Sequence, residues 1–409
     1  MNVYGHAYGI RRWVLAGLAL SCTTLALALP ISANAEDGPP SSIPTGGPPP
    51  GIPTGAPAGI PSGPIPTGAI PSGLPSGPPA SIPTGGPPAV LPTGAMPTNL
   101  AALTAGGISG IDPSKFAGLS PAQLDALKPS ALGGLMPEQL AKIKPDSFAS
   151  LSTSQFSALP ASAMAGMTAS QLDAMVPSQF KSITPQMFDS IPAQALSSLS
   201  FDQMMALKPA VMAQISPEQI AALSAQVMGA LSKDQLSRIP ADAIAALKAG
   251  QLDKLSPAAF PGFSPDQFMD LKPTILSVID PKQFMGLKPA VMAVMTADQI
   301  SALTPATLKS MTLPQIDNLA PAALAGMEPG QIKGLAVAKI AKLDAAQLSN
   351  LAPDTFAAMK AEQLAAMQPA DAPGMTPAQL AALSPKQADS IKPAVVNAMT
   401  PEQKAALAQ

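Results

Sequence analysis

The octapeptide SPAQLDAL at residues 120–127 is one copy of a unit that repeats without a gap over residues 96–407. In this register, position eight is a large apolar residue in each of the 39 copies. Position five is large and apolar in all copies except those that carry Ala372, Ala388 or Lys404 there. A pattern kept over this length indicates the architecture of the whole region.

A typical octad has the features of a helix start. Ser or Thr at position one can accept hydrogen bonds from the first free amides of a helix. Pro at position two suits the first helical turn, where its missing N–H is not needed. Gln at position four can reach back to the amide of position one and complete a capping box. Positions five and eight then lie on one face of the helix, three residues apart.

The repeat length excludes the other regular structures. Eight residues turn an α-helix by roughly 800°, so the apolar face of one long helix would rotate by about 80° per octad. Repeated prolines would break that helix at a cost of about 3 kcal/mol each. A coiled coil needs a seven-residue repeat, and spacings of three and five do not alternate as in a strand. The sequence therefore predicts an all-α, solenoid-like array of one-to-two-turn helices, in which consecutive segments pack together and bury their apolar faces.

A sixteen-residue super-repeat is superimposed on the octads. Gln occupies position four in alternate octads, and the octads between them usually have Ala, Val, Ser or Thr there, such as Ala131 and Val211. We interpret the Gln series as helix caps. The alternative is a ladder that hydrogen-bonds an extended ligand. The first members of the series are Gln123, Gln139, Gln155, Gln171, Gln203 and Gln219.

The first 35 residues have the features of a secretory signal peptide. A positive pair at residues 11–12 precedes an apolar run at residues 13–31. Ala33 and Ala35 then form a small-x-small cleavage site, so the mature chain is expected to begin at Glu36. The alternative is an uncleaved membrane anchor, because the apolar run is long enough to span a bilayer.

Residues 36–95 are expected to form a disordered tether rich in Pro, Gly, Ser and Thr. The motif Ile/Leu-Pro-Ser/Thr-Gly recurs along it, for example at residues 43–46 and 52–55. Proline lacks an N–H and fixes φ, and glycine opens turn conformations, so neither a helix nor a sheet ladder can propagate. The octad array, residues 96–409, follows this tether.

The composition argues against an enzyme, a cofactor or a metal site. All His, Cys, Trp and Tyr residues lie within the first 22 positions. Zinc and copper sites favour His or Cys, no Asp-rich calcium loop occurs, and the acidic residues are scattered along the octads. Only Arg238 remains as a guanidinium after the signal, so nucleic-acid binding is not expected. We also expect no membrane association once the signal is removed.

These features predict a non-enzymatic secreted or envelope-associated repeat protein that acts as a structural spacer or scaffold. The alternative is a binding module that recognises a protein or a cell-surface polymer along an extended face. Lysines at position one, such as Lys128 and Lys144, would then meet an anionic polymer. Copies of the array could also self-associate. A self-similar aliphatic core specifies register weakly, so a loose helical globule is the structural alternative to an ordered array.

Overall fold

The computed structural model describes residues 96–408. This region contains 31 α-helices and eight 3-10 helices, and no strand occurs within it. The predicted fold class, a repeated array of short helices, is confirmed. The predicted signal peptide and the predicted tether fall on residues 1–95, outside the described residues.

Each octad of the described region holds one helical element. The α-helices, α1 to α31 in chain order, are Ala105–Ser109, Pro121–Asp125, Pro129–Leu132, Pro137–Leu140, Pro145–Ala149, Thr153–Ser157, Ala169–Ala174, Pro177–Phe180, Pro185–Asp189, Ala193–Leu196, Phe201–Ala206, Pro217–Ala222, Ala225–Met228, Lys233–Leu236, Ala241–Ile244, Ala249–Lys254, Pro265–Met269, Pro281–Met285, Pro289–Met292, Ala297–Ala302, Pro305–Lys309, Leu313–Asp317, Pro329–Gly334, Val337–Ile340, Ala345–Ser349, Pro353–Ala357, Ala361–Leu364, Pro377–Ala381, Pro385–Ala388, Pro393–Asn397 and Pro401–Leu407. The 3-10 helices are Leu100–Ala102, Pro113–Gly118, Ala161–Gly166, Pro209–Gln214, Phe260–Gly262, Pro273–Val278, Pro321–Gly326 and Pro369–Gly374.

The octad that begins at Ser120 illustrates why each helix is so short. Ser120 is extended (φ −78°, ψ 163°) and its side chain accepts a hydrogen bond from the Gln123 amide. Pro121 opens the helix, which ends at Asp125. The next octad has Pro129, which disfavours the α conformation at the residue before it. Lys128 is accordingly extended (ψ 143°), so a new helix begins in every octad.

The alternation of octads is visible in the secondary structure. All eight 3-10 helices of the described region lie in the octads between those that carry the Gln series. The Gln-bearing octads of that series form α-helices. The structure therefore alternates with a period of sixteen residues.

Helices pack against the element three octads further along the chain. The helix α4 contacts both the 3-10 helix Pro113–Gly118 and the 3-10 helix Ala161–Gly166, and the other closely packed pairs in the described region keep this spacing. The sequence predicted that each helix packs against the next helix in the chain. This was wrong, because the closely packed partner lies three octads away. Extended residues at the octad junctions turn the chain, so the next helix points elsewhere. Consecutive octads meet through core side chains instead, as where the rings of Phe148 and Phe156 lie 6.0 Å apart.

The array is thus a superhelix whose turns stack on one another. Side chains at positions five and eight form one continuous core that runs from Leu100 to Ala406. Burying a side chain of this size contributes about 1.5–3 kcal/mol, so stabilisation is distributed along the array. Near the C-terminal end, Lys404 is exposed and lies outside this core.

Candidate functional site

The Gln side chains at position four lie between successive turns of the superhelix. Gln155 Oε1 accepts a hydrogen bond from the backbone N–H of Ser152 at 2.9 Å. Ser152 Oγ in turn accepts one from the backbone N–H of Gln155 at 3.3 Å. This capping box satisfies two amides that the first helical turn leaves without a partner.

The amide nitrogen of the same side chain reaches the turn beneath. Gln155 Nε2 donates to the carbonyl oxygens of Leu124 and Leu127, each at 2.9 Å. These carbonyls belong to positions five and eight of the octad four units earlier. A glutamine amide has one acceptor and one NH₂ group, and both are used here. One side chain therefore caps its own helix and fastens that helix to the preceding turn.

Five of the six Gln residues singled out from the sequence make both kinds of contact. They are buried, and each donates to two carbonyls 28 and 31 residues earlier: Gln139, Gln155, Gln171, Gln203 and Gln219. Gln123 is exposed and makes the capping contact, accepting from the Ser120 N–H at 2.9 Å. In the five buried side chains, the oxygen and the nitrogen both have partners within the array. They therefore have little to offer an extended ligand.

The sequence analysis missed other side chains that bridge two turns from position four. Gln179 lies outside the alternating series, and its Nε2 donates to the Leu151 carbonyl at 3.0 Å. Three buried hydroxyl groups likewise donate to the position-eight carbonyl 28 residues earlier, at 2.7–2.8 Å. They are Ser147 to Leu119, Thr307 to Ile279 and Thr355 to Met327. The available signal was a polar residue at position four of an octad between those of the Gln series.

Met187 interrupts the Gln series. Its side chain is buried at position four, where the neighbouring members of the series have an amide. The carbonyls of Phe156 and Leu159 occupy the places 31 and 28 residues earlier. A thioether cannot donate a hydrogen bond, so this turn lacks the bridge that its neighbours have.

Small residues at position seven allow the backbones of adjacent turns to approach closely. A Cβ atom added to Gly166 would lie 1.9 Å from the carbonyl oxygen of Pro137, and one added to Gly326 would lie 1.9 Å from that of Ala297. Ser198 occupies the same position in its octad, and its Oγ donates to the Ala169 carbonyl at 2.8 Å. At Gly166 and Gly326 the adjacent backbone therefore leaves no room for a side chain, which the apolar pattern does not report.

Most charged groups are exposed and weakly coupled. Within residues 96–408 the one ion pair joins Lys254 Nζ and Asp253 Oδ2 at 3.0 Å. Both side chains are in solvent, and such a pair contributes little to stability. Burial, and next the positive charge of Lys309, lower the pKa of Lys339. The Lys339 ammonium donates to the Lys309 carbonyl, so this lysine also bridges two turns.

A groove of about 780 Å³ near the C-terminal end brings three lysines together. Lys333, Lys360 and Lys386 line it with Glu362 as the one acidic residue. Gln387 Nε2 forms part of the lining and donates to the carbonyls of Ala357 and Met359, at 2.6 and 2.8 Å. The excess of positive charge would attract an anionic group.

Residues 96–408 contain no cluster of His, Cys, Asp and Glu that could hold a metal ion. No helix in that range combines the length and the apolar character needed to cross a bilayer. Comparison with known proteins found no matching family model and no significant match among curated proteins.

Proposed function

We propose that this chain is a non-enzymatic repeat protein that acts as a structural spacer or scaffold. The short range of the contacts in the octad array carries the proposal. Close helix packing joins elements three octads apart, and the Gln bridges reach back no further than 31 residues, as from Gln155 to Leu124. An array of this kind is extended by adding units at either end.

A spacer requires a length that is set by the number of its repeats. Stacked helices lie about 8–10 Å apart, and one superhelical turn takes between three and four octads. The 39 octads then correspond to a length on the order of 100 Å. The Gln bridges and the continuous core recur in successive turns, so each added turn has the same support as the last.

The secreted or envelope-associated setting rests on the sequence of the first 35 residues. Removal of this segment would leave a chain without cysteine, whose stability could not depend on disulfides. N-terminal sequencing of the exported protein is expected to begin at Glu36. A mature protein that still starts at Met1 and sediments with membranes would support the anchor instead.

A pair of internal deletions tests the spacer. Deleting residues 200–231 removes four whole octads and brings Gln235 over the carbonyls of Leu172 and Met175, which Gln203 occupies in the intact chain. We expect this variant to remain helical and to be shorter by about 10 Å in small-angle X-ray scattering. Deleting residues 200–227 removes almost as much chain but leaves half an octad. The Gln side chains after the deletion are then out of register with the carbonyls before it.

The two deletions give opposite expectations. The octad-preserving variant should keep the thermal stability of the parent, and the register-breaking variant should lose protection near the junction. The spacer proposal fails if the maximum dimension does not change with the number of octads. It fails equally if both deletions have the same effect on stability.

We propose as a second function that the lysine groove binds an anionic cell-surface polymer. The observation that favours it is the grouping of Lys333, Lys360 and Lys386 along one groove. Saturable co-sedimentation with an anionic envelope polymer should weaken as salt is added, since screening reduces such attraction. Replacing these three lysines with Gln should abolish the binding.

The matched control for this groove replaces three lysines elsewhere in the array. Lys115, Lys128 and Lys142 lie outside the groove. Their replacement with Gln changes the net charge equally and should leave the binding intact. Equal loss in both triple variants would show that only net charge matters, which contradicts a defined site.

A further inference from the structure

Asp371 is the one carboxylate at position four of an octad. It lies in the octad 368–375, its side chain is only 8% exposed, and its Oδ2 accepts a hydrogen bond from the Gln368 N–H at 2.6 Å. This octad is one of those between the Gln-bearing octads. In two others of that kind, Thr307 and Thr355 use the same position to donate to a carbonyl 28 residues earlier. For Asp371 the equivalent acceptor is the carbonyl of Leu343.

The protonation state of Asp371 decides whether this bridge can form. An ionised carboxylate only accepts hydrogen bonds, and a protonated one has an O–H to donate. Within residues 96–408, no hydrogen bond to the Leu343 carbonyl is formed. In the octads of Thr307 and Thr355, the carbonyl at the place equivalent to Leu343 receives a hydrogen bond from position four. An ionised Asp371 has no hydrogen to donate there, whereas a protonated Asp371 can donate as Thr355 does.

We propose that Asp371 is a proton-operated latch: protonated, it donates to the Leu343 carbonyl and holds the octad 368–375 on the turn beneath, and ionised, it loosens that octad. The octad is the platform for the end of the array. Gln403 Nε2, from the last helix, donates to the carbonyls of Ala372 and Met375 at 2.8 and 2.5 Å. Two later elements dock on this octad, α30 and the last helix, so loosening it weakens the docking of residues 392–408.

The charged neighbours of Asp371 are few. The 3-10 helix Pro369–Gly374 packs against α25 and α30. Asp344 caps α25, and the exposed Lys392 precedes α30. The octad that supplies the Leu343 carbonyl also carries Lys339, which donates to the Lys309 carbonyl, and the exposed Lys342.

The direction of the pH effect follows from these surroundings. Burial raises the pKa of Asp371; the hydrogen bond from the Gln368 N–H opposes the rise, and the negative charge of Asp344 adds to it. A carboxyl group whose pKa is higher in the folded chain favours folding when it is protonated. The stabilisation is complete below the ordinary pKa of an aspartate and is lost as the pH rises through the raised value.

Hydrogen exchange of the full-length protein, corrected for the intrinsic rate at each pH, tests the latch. Between about pH 4 and pH 7.5, protection of amides in residues 392–408 should fall by about tenfold for each unit by which the pKa is raised. Protection in the middle of the array should change less. The pKa values of Asp112 and Glu402 are lowered, chiefly by hydrogen bonds, so these carboxylates act in the opposite direction.

Two substitutions and a control separate the latch from other carboxylates. D371T supplies a hydroxyl donor and D371N removes the titration, so both should lose the pH dependence in residues 392–408. D371T should be protected at either pH. D354T changes an exposed aspartate of α26 and should keep the wild-type profile. The latch is refuted if D371N titrates like the wild type, or if the wild type shows no loss of protection as the pH rises.

Discussion

At the residue scale, position four determines how one turn is tied to the next. Gln251 illustrates the arrangement: its Oε1 accepts from the Lys248 N–H at 2.9 Å, and its Nε2 donates to the carbonyls of Ile220 and Leu223 at 2.7 and 2.9 Å. A backbone group that is buried without a partner costs about 1–3 kcal/mol. The bridge is therefore as important to this turn as a large core side chain.

Two single substitutions, one at Gln251 and one at Met187, should have opposite effects on local stability. Gln251→Met leaves the Lys248 N–H and the Leu223 carbonyl without a hydrogen-bond partner, and we expect local stability to fall by about 2–4 kcal/mol. Met187→Gln supplies donors for the carbonyls of Phe156 and Leu159 and should add about 1–2 kcal/mol. Hydrogen exchange of the flanking octads measures both, because a long repeat array need not unfold in one step. A Met187→Gln variant no more protected than the parent would argue against the bridge.

Gly326 and Gly330 together test the close approach of two backbones at residue 326. A Cβ atom at residue 326 would meet the Ala297 carbonyl at 1.9 Å, whereas one at residue 330 has nothing within 4 Å. Gly326→Ala should destabilise its turn by about 1–3 kcal/mol or more. Gly330→Ala, inside a helix, should stabilise it by about 0.4–1 kcal/mol. Equal melting curves for the two variants would contradict the close approach of these backbones.

The sequence predicted only part of this residue-level detail. Apolar residues three apart are buried, as expected, and a Gln three residues after a Ser fits a capping box. The second contact of Gln155, the hydroxyl bridge of Thr355 and the glycine at 326 were not foreseen. All three depend on which backbone segment lies in the adjacent turn. The repeat period of the sequence does not show how many residues make up one superhelical turn, so these contacts could not be predicted.

At the element scale, no single helix of the array could hold its shape alone. Isolated helices shorter than about 12–15 residues are marginal in water, and the helices here have between three and seven residues. Each is held by its cap, by its apolar pair and by the turn beneath. The prediction of many short helices followed from proline and the octad period. The packing partner of each helix could not be predicted in this way, because it is set by the angle between helices at each octad junction.

Helix caps should respond individually to substitution. Lys288 precedes α19 and provides no side-chain cap, whereas Thr296 caps the next helix by accepting from the Gln299 N–H. Lys288→Ser should stabilise α19 by about 1 kcal/mol, and Thr296→Ala should destabilise its helix by a similar amount. Amide exchange within each octad is the measurement. Lys282→Ser, inside α18, is the control and should give no gain.

At the scale of the whole array, contacts of limited range make stability a local property. Each octad depends on the units three and four places away, so a defect should spread by about one turn and no further. The octad 400–407 is expected to differ from the middle, because the exposed Lys404 replaces an apolar residue at position five. This gradient distinguishes an ordered superhelix from a loose helical globule, in which every octad would exchange partners.

Amide hydrogen exchange along residues 96–408 of the wild-type protein tests the account most directly. Amides at positions five and eight should be strongly protected in the middle of the array and progressively less so over the last turn at each end. That profile is expected because middle octads have a partner on both sides. Fast exchange that is uniform from one end to the other would contradict stacked turns, and the proposed spacer with them.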